Sequence, residues 1–448
     1  MGGHGSRRAR LRAFGALVAS VALGGWGLVA PSASAAAFQR GDVFLSSGAV
    51  NIAEYSPSGQ LLATIPGTSA ASGGCFDPSG EHLVVPGVGL FNSSGQLLRS
   101  KWGTDPAAGS CVADAFGNVY IAGAVSATDW TVTKYDISGK VTSTFDLAGG
   151  GGDPPVAIAL APDECTLYYG DWQDQLGLGR FNVCTGEQEP ALSAFQFTDD
   201  LGVLPSGQIL IASDESVALL DASGAPDGGF SPPPDQAAQW LRVVSPDPGG
   251  TSFWACCDLP PAPPFVPDQI FQFDLASGQV LAQWSTGSQG LLGVYGPPLL
   301  GNADVERYTD YNPPGLAEAF PETVANSGQL SSLDLYAASA STASQAVIGV
   351  YSDRHGQPGA LQAKTTIGSL VAGSWNDVQI PTVSVSAGEH LWIAILGPAG
   401  GGTIRFRDDD GGGGPGSITS AQGKLTTLPA TWSSGTRWPT TNLSAYGQ

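Results

Sequence analysis

Basic side chains are scarce in this 448-residue sequence: 18 Lys and Arg stand against 39 Asp and Glu, a formal charge of −21. A nucleic-acid backbone is held by clustered cations, so a nucleic-acid partner is excluded. No stretch keeps an apolar period of 3.6 residues, which excludes long amphipathic helices. Beyond residue 29 no apolar run reaches the roughly 18 residues that span a bilayer, and no transmembrane anchor is expected. What is abundant is punctuation. The 63 Gly and 33 Pro belong to many short strands joined by turns, and the chain reads as all-β.

The first 35 residues stand apart. Arg7, Arg8, Arg10 and Arg12 precede an apolar run from Phe14 to Val29, then Pro31 and the small tripeptide Ala33-Ser34-Ala35. A charged start, an apolar middle and an A-x-A site predict a secretory signal peptide over residues 1–35. Ser6 to Leu11 also resembles a twin-arginine signal, so both export routes fit. The expected location is extracellular. Without the four leader arginines, 14 basic residues face 39 acids. That surplus suits solubility outside the cell, or attraction of cations.

Two ladders of short motifs organise residues 40–297. The first is EYSPSGQ (54–60), LFNSSGQ (90–96), KYDISGK (134–140), RFNVCTG (180–186), LLDASGA (219–225) and QFDLASGQ (272–279). The second is DPSGEHLVV (77–85), ADAFGNVYI (113–121), APDECTLYY (161–169), LPSGQILIA (204–212) and SPDPGGTSFWA (245–255). Each copy runs a glycine or polar turn into an apolar strand, and the spacing suits four-stranded repeats around an axis. The missing sixth copy is accounted for if Val43-Phe44-Leu45 and Leu291 to Tyr295 complete one shared sheet, leaving no free edge.

This pattern resembles the six-bladed β-propellers of the NHL, SMP-30 and streptogramin-lyase-like group. The resemblance lies in the repeats and not in an active-site motif. An SMP-30-like lactonase would imply a metal-binding Glu in an early Glu-Gly-Pro-x-Trp-like segment, and nothing from Asp42 to Tyr55 matches. A streptogramin-lyase-like mechanism would imply a catalytic histidine, and the only one in this region is His82, on an alternating strand segment where an outward structural role is expected. No G-x-S-x-G or H-E-x-x-H motif occurs. The expectation is a non-catalytic binding or interaction module, with a metal-dependent lactonase or lyase of the propeller type as the alternative.

Six cysteines in an exported chain suggest three disulfides. Cys75 and Cys111 occupy equivalent places in neighbouring repeats, which predicts one pair. Cys165 and Cys184 bracket a hairpin, with Cys165 expected opposite Cys184. Cys256 and Cys257 remain, either as a vicinal bond or as two thiols.

In a propeller the loops after the second strands and those entering the innermost strands build the ligand face. The first set carries Asp129, Trp130, Asp171, Trp172, Asp174, Asp214, Glu215 and Asp258; the second carries Asp153, Asp199 and Asp200. None of these loops holds a basic residue. Asp153, Asp199 and Asp200 are the candidates for a bound Ca²⁺, and the acids beside tryptophans for a sugar, a cation or another small-molecule or protein ligand. Solvated turn formers explain the same acids.

After Pro297-Pro298 the repeat stops. Residues 298–448 read as further strands with alternating polarity, expected to form a jelly-roll β-sandwich like the accessory domains of bacterial secreted proteins, many of which bind carbohydrate. Trp375, Trp392, Trp432 and Trp438 are the residues that could stack on a sugar ring; Trp392 is expected in the core, and Trp432 and Trp438 exposed. Asp408-Asp409-Asp410 can cap a Ca²⁺ or form a solvated acidic loop. A monomer is expected.

Overall fold

The computed structural model describes residues 37–46, 51–68, 73–103, 110–126, 129–148, 157–170, 177–192, 198–213, 216–234, 240–256, 268–286, 291–409 and 416–448. Thirty-six β-strands and no α-helix occur among them.

Six antiparallel sheets of four strands each come first. The first sheet joins distant parts of the chain: Leu291–Val294 pairs with Val43–Leu45, which pairs in turn with Ala53–Tyr55 and then Leu61–Thr64. The second to fifth sheets run consecutively through residues 75–230, each beginning with a short strand: Cys75–Phe76, Cys111–Ala113, Ala157–Leu160 and Asp200–Val203. The sixth comprises Val243–Pro246, Ser252–Cys256, Asp268–Asp274 and Val280–Thr286. These leading strands contact one another in order, and Leu291–Val294 touches both Val243–Pro246 and Cys75–Phe76.

The ladder residues explain the turns. Asp77 accepts from the His82 N–H, Asp114 from Phe116 and Asn118, and Asp163 from Cys165 and Thr166. Asn92, Asp136, Asn182, Asp221 and Asp274 cap the second series of turns in the same way. These are Asx turns, in which a short polar side chain replaces a backbone partner. At Gly59 the turn needs φ +81°, and an added Cβ would lie 2.5 Å from the Trp284 ring of the sixth sheet.

Two disulfides, Cys75–Cys111 and Cys165–Cys184, match the expected pairings. The hairpin register differs by one residue. Thr166 lies opposite Asn182, and the Val183 N–H donates to the Cys165 carbonyl at 2.8 Å. Cys165 therefore faces Val183 and reaches Cys184 diagonally, with Cα atoms 5.2 Å apart, within disulfide range. Cys256 is also disulfide-bonded; Cys257, its expected partner, lies outside the described residues.

The remaining strands form two six-stranded sheets. Leu330, Leu333 and Leu335 of one share a single core with Ile348, Val350, Ile393 and Ile395 of the other, joined by Phe320 and Phe406. Trp392 is buried as expected, while Trp438 is exposed. Trp432 departs from expectation: it is buried against Tyr351, ring centroids 5.1 Å apart, because the C-terminal segment folds back over the sheet. Asp408 is buried rather than solvated, and Asp409 holds the Thr441 N–H and hydroxyl.

Candidate functional site

Of the acids and tryptophans that the sequence nominates, Asp153, Asp171, Trp172, Asp174, Asp214, Glu215 and Asp258 lie outside the described residues, and the Asp129 side chain does too. Asp129 opens the strand Asp129–Asp136. Trp130, next to it, is a core residue rather than an exposed platform: it is 1% exposed and meets Tyr169 edge-on. Asp200 braces two leading strands, its carboxylate accepting from the Leu201 N–H at 2.9 Å and the Val244 N–H at 3.0 Å. Burial pushes its carboxyl up to about 7. Asp199 lies 3.8 Å from the Arg242 guanidinium, so a cation from the next repeat reaches a loop that carries none of its own. Among the described residues no group of three or more His, Cys, Asp or Glu is placed to hold a metal. His82 takes a structural place, its Nδ1 2.7 Å from Asp77, a hydrogen bond that raises its pKa.

A different site emerges where the turns after the leading strands meet the C-terminal sheets. The segments 113–115 and 161–164 approach Val305, Tyr336, Trp375 and Tyr446. Ala115 accepts from the Val305 N–H at 2.6 Å, and Pro162 from the Trp375 N–H at 3.0 Å. Glu164 sits between these bonds with φ +59°. Its carboxylate takes the Ala115 N–H at 3.0 Å and the Trp375 side-chain donor. Desolvation outweighs those bonds and the carboxyl rises to about 8. Trp375 packs edge-on to Tyr336 and Tyr446, with centroids 5.5 and 5.0 Å away.

Two cavities open on this junction. An inner chamber of about 200 Å³ is lined by Val112, Leu160, Leu204 and Glu164 on one side and by Asp334, Trp375 and Tyr446 on the other. An outer cleft of about 530 Å³ runs between Tyr168, Pro205 and Ser206 and the segment Ile367–Val378, including Ser374, Asn376 and Asp377. Ala161, Pro162, Pro205 and Trp375 line both. No Lys, Arg or His is among the described lining residues.

The sequence offered one signal for this site that repeat-reading passed over. In Leu333-Asp334-Leu335 a carboxylate occupies the face opposite two core leucines, in mid-strand.

No protein-family model matches the chain, and no curated protein does. Among solved structures it is similar to the Neurospora crassa Pan2 WD40 domain, at 14% identity and TM-score 0.36 over 48% of this chain, spanning 65% of that one. It is also similar to a protein of unknown function from Bacteroides caccae, at 12% identity and TM-score 0.44, over 57% of this chain and 98% of that one.

Proposed function

We propose that this is an exported binding protein made of a closed six-bladed β-propeller over residues 40–297 and a jelly-roll β-sandwich over residues 298–448. Its ligand is received at their junction. The cyclic contacts of the six leading strands, and the sheet shared by Val43–Leu45 and Leu291–Val294, support the propeller. The core common to both six-stranded sheets supports the sandwich. Disulfides persist in oxidising compartments, which supports export.

The observation that carries the binding role is the outer cleft. Its roughly 530 Å³ falls in the range of small-molecule sites, and such sites favour the junctions between domains. Tyr168 and Trp375 supply apolar surface, while Ser206 and Asp377 supply polar groups.

Ser206 is exposed at the cleft. The test is a glycan array, together with thermal-shift screening against oligosaccharides and small amines, run on the secreted protein and on Ser206→Trp. A hit weakened at least tenfold in Ser206→Trp is expected. Hits that Ser206→Trp leaves intact would place the site elsewhere and sink this assignment, as would the absence of any hit.

A further inference from the structure

Where the two cavities meet, Asp334 lines the inner chamber and Asp377 the outer cleft, and no cation meets either carboxyl among the described residues. Asp334 and Asp377 are direct cross-strand partners, so their side chains leave the same face of the sheet, close enough to interact. Asp334 is 1% exposed, and its Oδ1 has no hydrogen-bond partner. On its other flank it lies opposite Tyr446. Two residues along these strands stand Tyr336 and Trp375, themselves cross-strand partners. One sheet face thus presents a row of acids beside a cluster of rings. Glu164 adds a third carboxyl from the facing turn.

Like charges placed opposite one another are destabilising, and buried acceptors in native proteins are nearly always paired. The arrangement makes physical sense if something positive and rich in N–H groups completes it. A hard cation such as Ca²⁺ takes six to eight oxygen ligands, and aromatic rings occupy that space here. Rings beside carboxylates suit an organic cation, which is attracted to ring faces while its N–H groups meet the acids.

We infer that the mouth of the inner chamber, where it meets the outer cleft, binds the primary ammonium or guanidinium head of a small organic cation, between Asp334 on the chamber side and Asp377 on the cleft side, with Trp375 and Tyr446 as its walls. The rest of the ligand extends past Trp375 into the outer cleft. This rests on the reading of the junction as a binding site, and it adds the ligand's chemical class. A quaternary ammonium cannot supply the N–H that Asp334 Oδ1 lacks, and a neutral sugar brings no charge to set against the acids.

The test uses agmatine as the probe, with tetramethylammonium and glucose as comparators, titrated calorimetrically into the full secreted chain and into Asp334→Asn and Asp377→Asn. Saturable one-site binding of agmatine is expected. Each variant should weaken it at least tenfold, and tetramethylammonium should bind at least tenfold more weakly than agmatine. Asp377 is only half-buried, so its variant remains informative if Asp334→Asn does not fold. Binding of agmatine by both variants as tightly as by the parent chain overturns the inference, as does no binding to the parent chain. If agmatine fails while a glycan hit is lost in Ser206→Trp, the cleft stands and the cation falls. If neither binds, both fall.

Discussion

The backbone N–H of Trp375 donates to the carbonyl of Pro162 at 3.0 Å, and this bond joins the C-terminal sheets to the turn of the fourth four-stranded sheet. The same indole meets Glu164, Tyr336 and Tyr446. Trp375 is therefore the side chain on which the junction turns. Truncating a buried aromatic to Ala costs about 3–5 kcal/mol. Trp375→Ala should lose stability in that range in urea and separate one cooperative transition into two. A single transition shifted by under about 1 kcal/mol would mean the junction is not held there.

Mildly acidic pH should stabilise this fold. Desolvation raises the carboxyls of Glu54, beside Asp42, to about 7, of Glu164 to about 8 and of Asp408, near Asp310 and Glu318, to about 8. A carboxyl whose folded pKa lies above its unfolded value binds its proton more tightly when folded. Its stabilisation is full below about pH 4 and is lost as pH rises through 6 to 8. His82, raised by Asp77, acts in the same direction. The exposed turn acids Asp136, Asp221 and Asp274 oppose this at the acid end, because hydrogen bonds from Ser138, Ser223 and Ser277 lower them. Their contribution is present above the unfolded carboxylate pKa and disappears as pH falls below it. The Tm measured against pH should peak near pH 5 and decline towards pH 8, and Asp408→Asn should flatten the decline. A Tm that climbs from pH 5 to 8 contradicts this account.

Much of the six-sheet region is readable because its signals are local. An Asx turn needs Asp or Asn a few residues before Gly, and DPSGE or KYDISGK announces it whatever the chain does elsewhere. The pairing of Leu291–Val294 with Val43–Leu45 follows from an uneven repeat count. The cysteine hairpin is readable to within one residue, since only the tip geometry decides whether Cys165 faces Val183 or Cys184. The site is another matter. Glu164 lies far along the chain from Asp334 and Trp375, and no spacing rule links them. Trp130 and Trp432 mislead for the same reason: whether an aromatic is wall or core depends on what the chain later lays over it.

The hairpin bridge joins cysteines 19 residues apart in sequence. In the chain-entropy account a loop near this length contributes about 3 kcal/mol by restricting the unfolded chain. Cys165→Ser with Cys184→Ser should therefore lower the stability in urea by that amount with the slope little changed. A loss of under about 1 kcal/mol would show that the hairpin's own strand pairing fixes the unfolded ensemble without the bond.

Gly59 and Trp284 bring the first and sixth sheets together. The glycine holds φ +81°, where a side chain is strained, and the Trp284 ring occupies the place of its missing Cβ. Trp284 also stacks on Tyr55, with centroids 5.0 Å apart. Gly59→Ala should cost about 1–3 kcal/mol, and Trp284→Leu added to it should recover part of that loss. Two purely additive losses would show that the added methyl group does not meet the ring.

Binding of an organic cation in the inner chamber should depend on pH in a direction that the chamber's own groups dictate. Desolvation and the neighbouring Asp377 raise the Asp334 carboxyl well above the carboxylate range, and burial raises Asp377 too. Glu164, facing them, is pushed up to about 8, and Tyr446 stays neutral because its phenol is raised further still. These upward shifts favour the protonated carboxyls, and a cation entering the chamber should displace at least one proton. Agmatine affinity should rise about tenfold for each proton displaced per pH unit between pH 6 and 8. Titrations in buffers of different ionisation enthalpy should register that proton's release. In Asp334→Asn the release should shrink by about one proton. An affinity flat across this range, with no proton released, means that the cation is met by carboxylates already ionised, or by none.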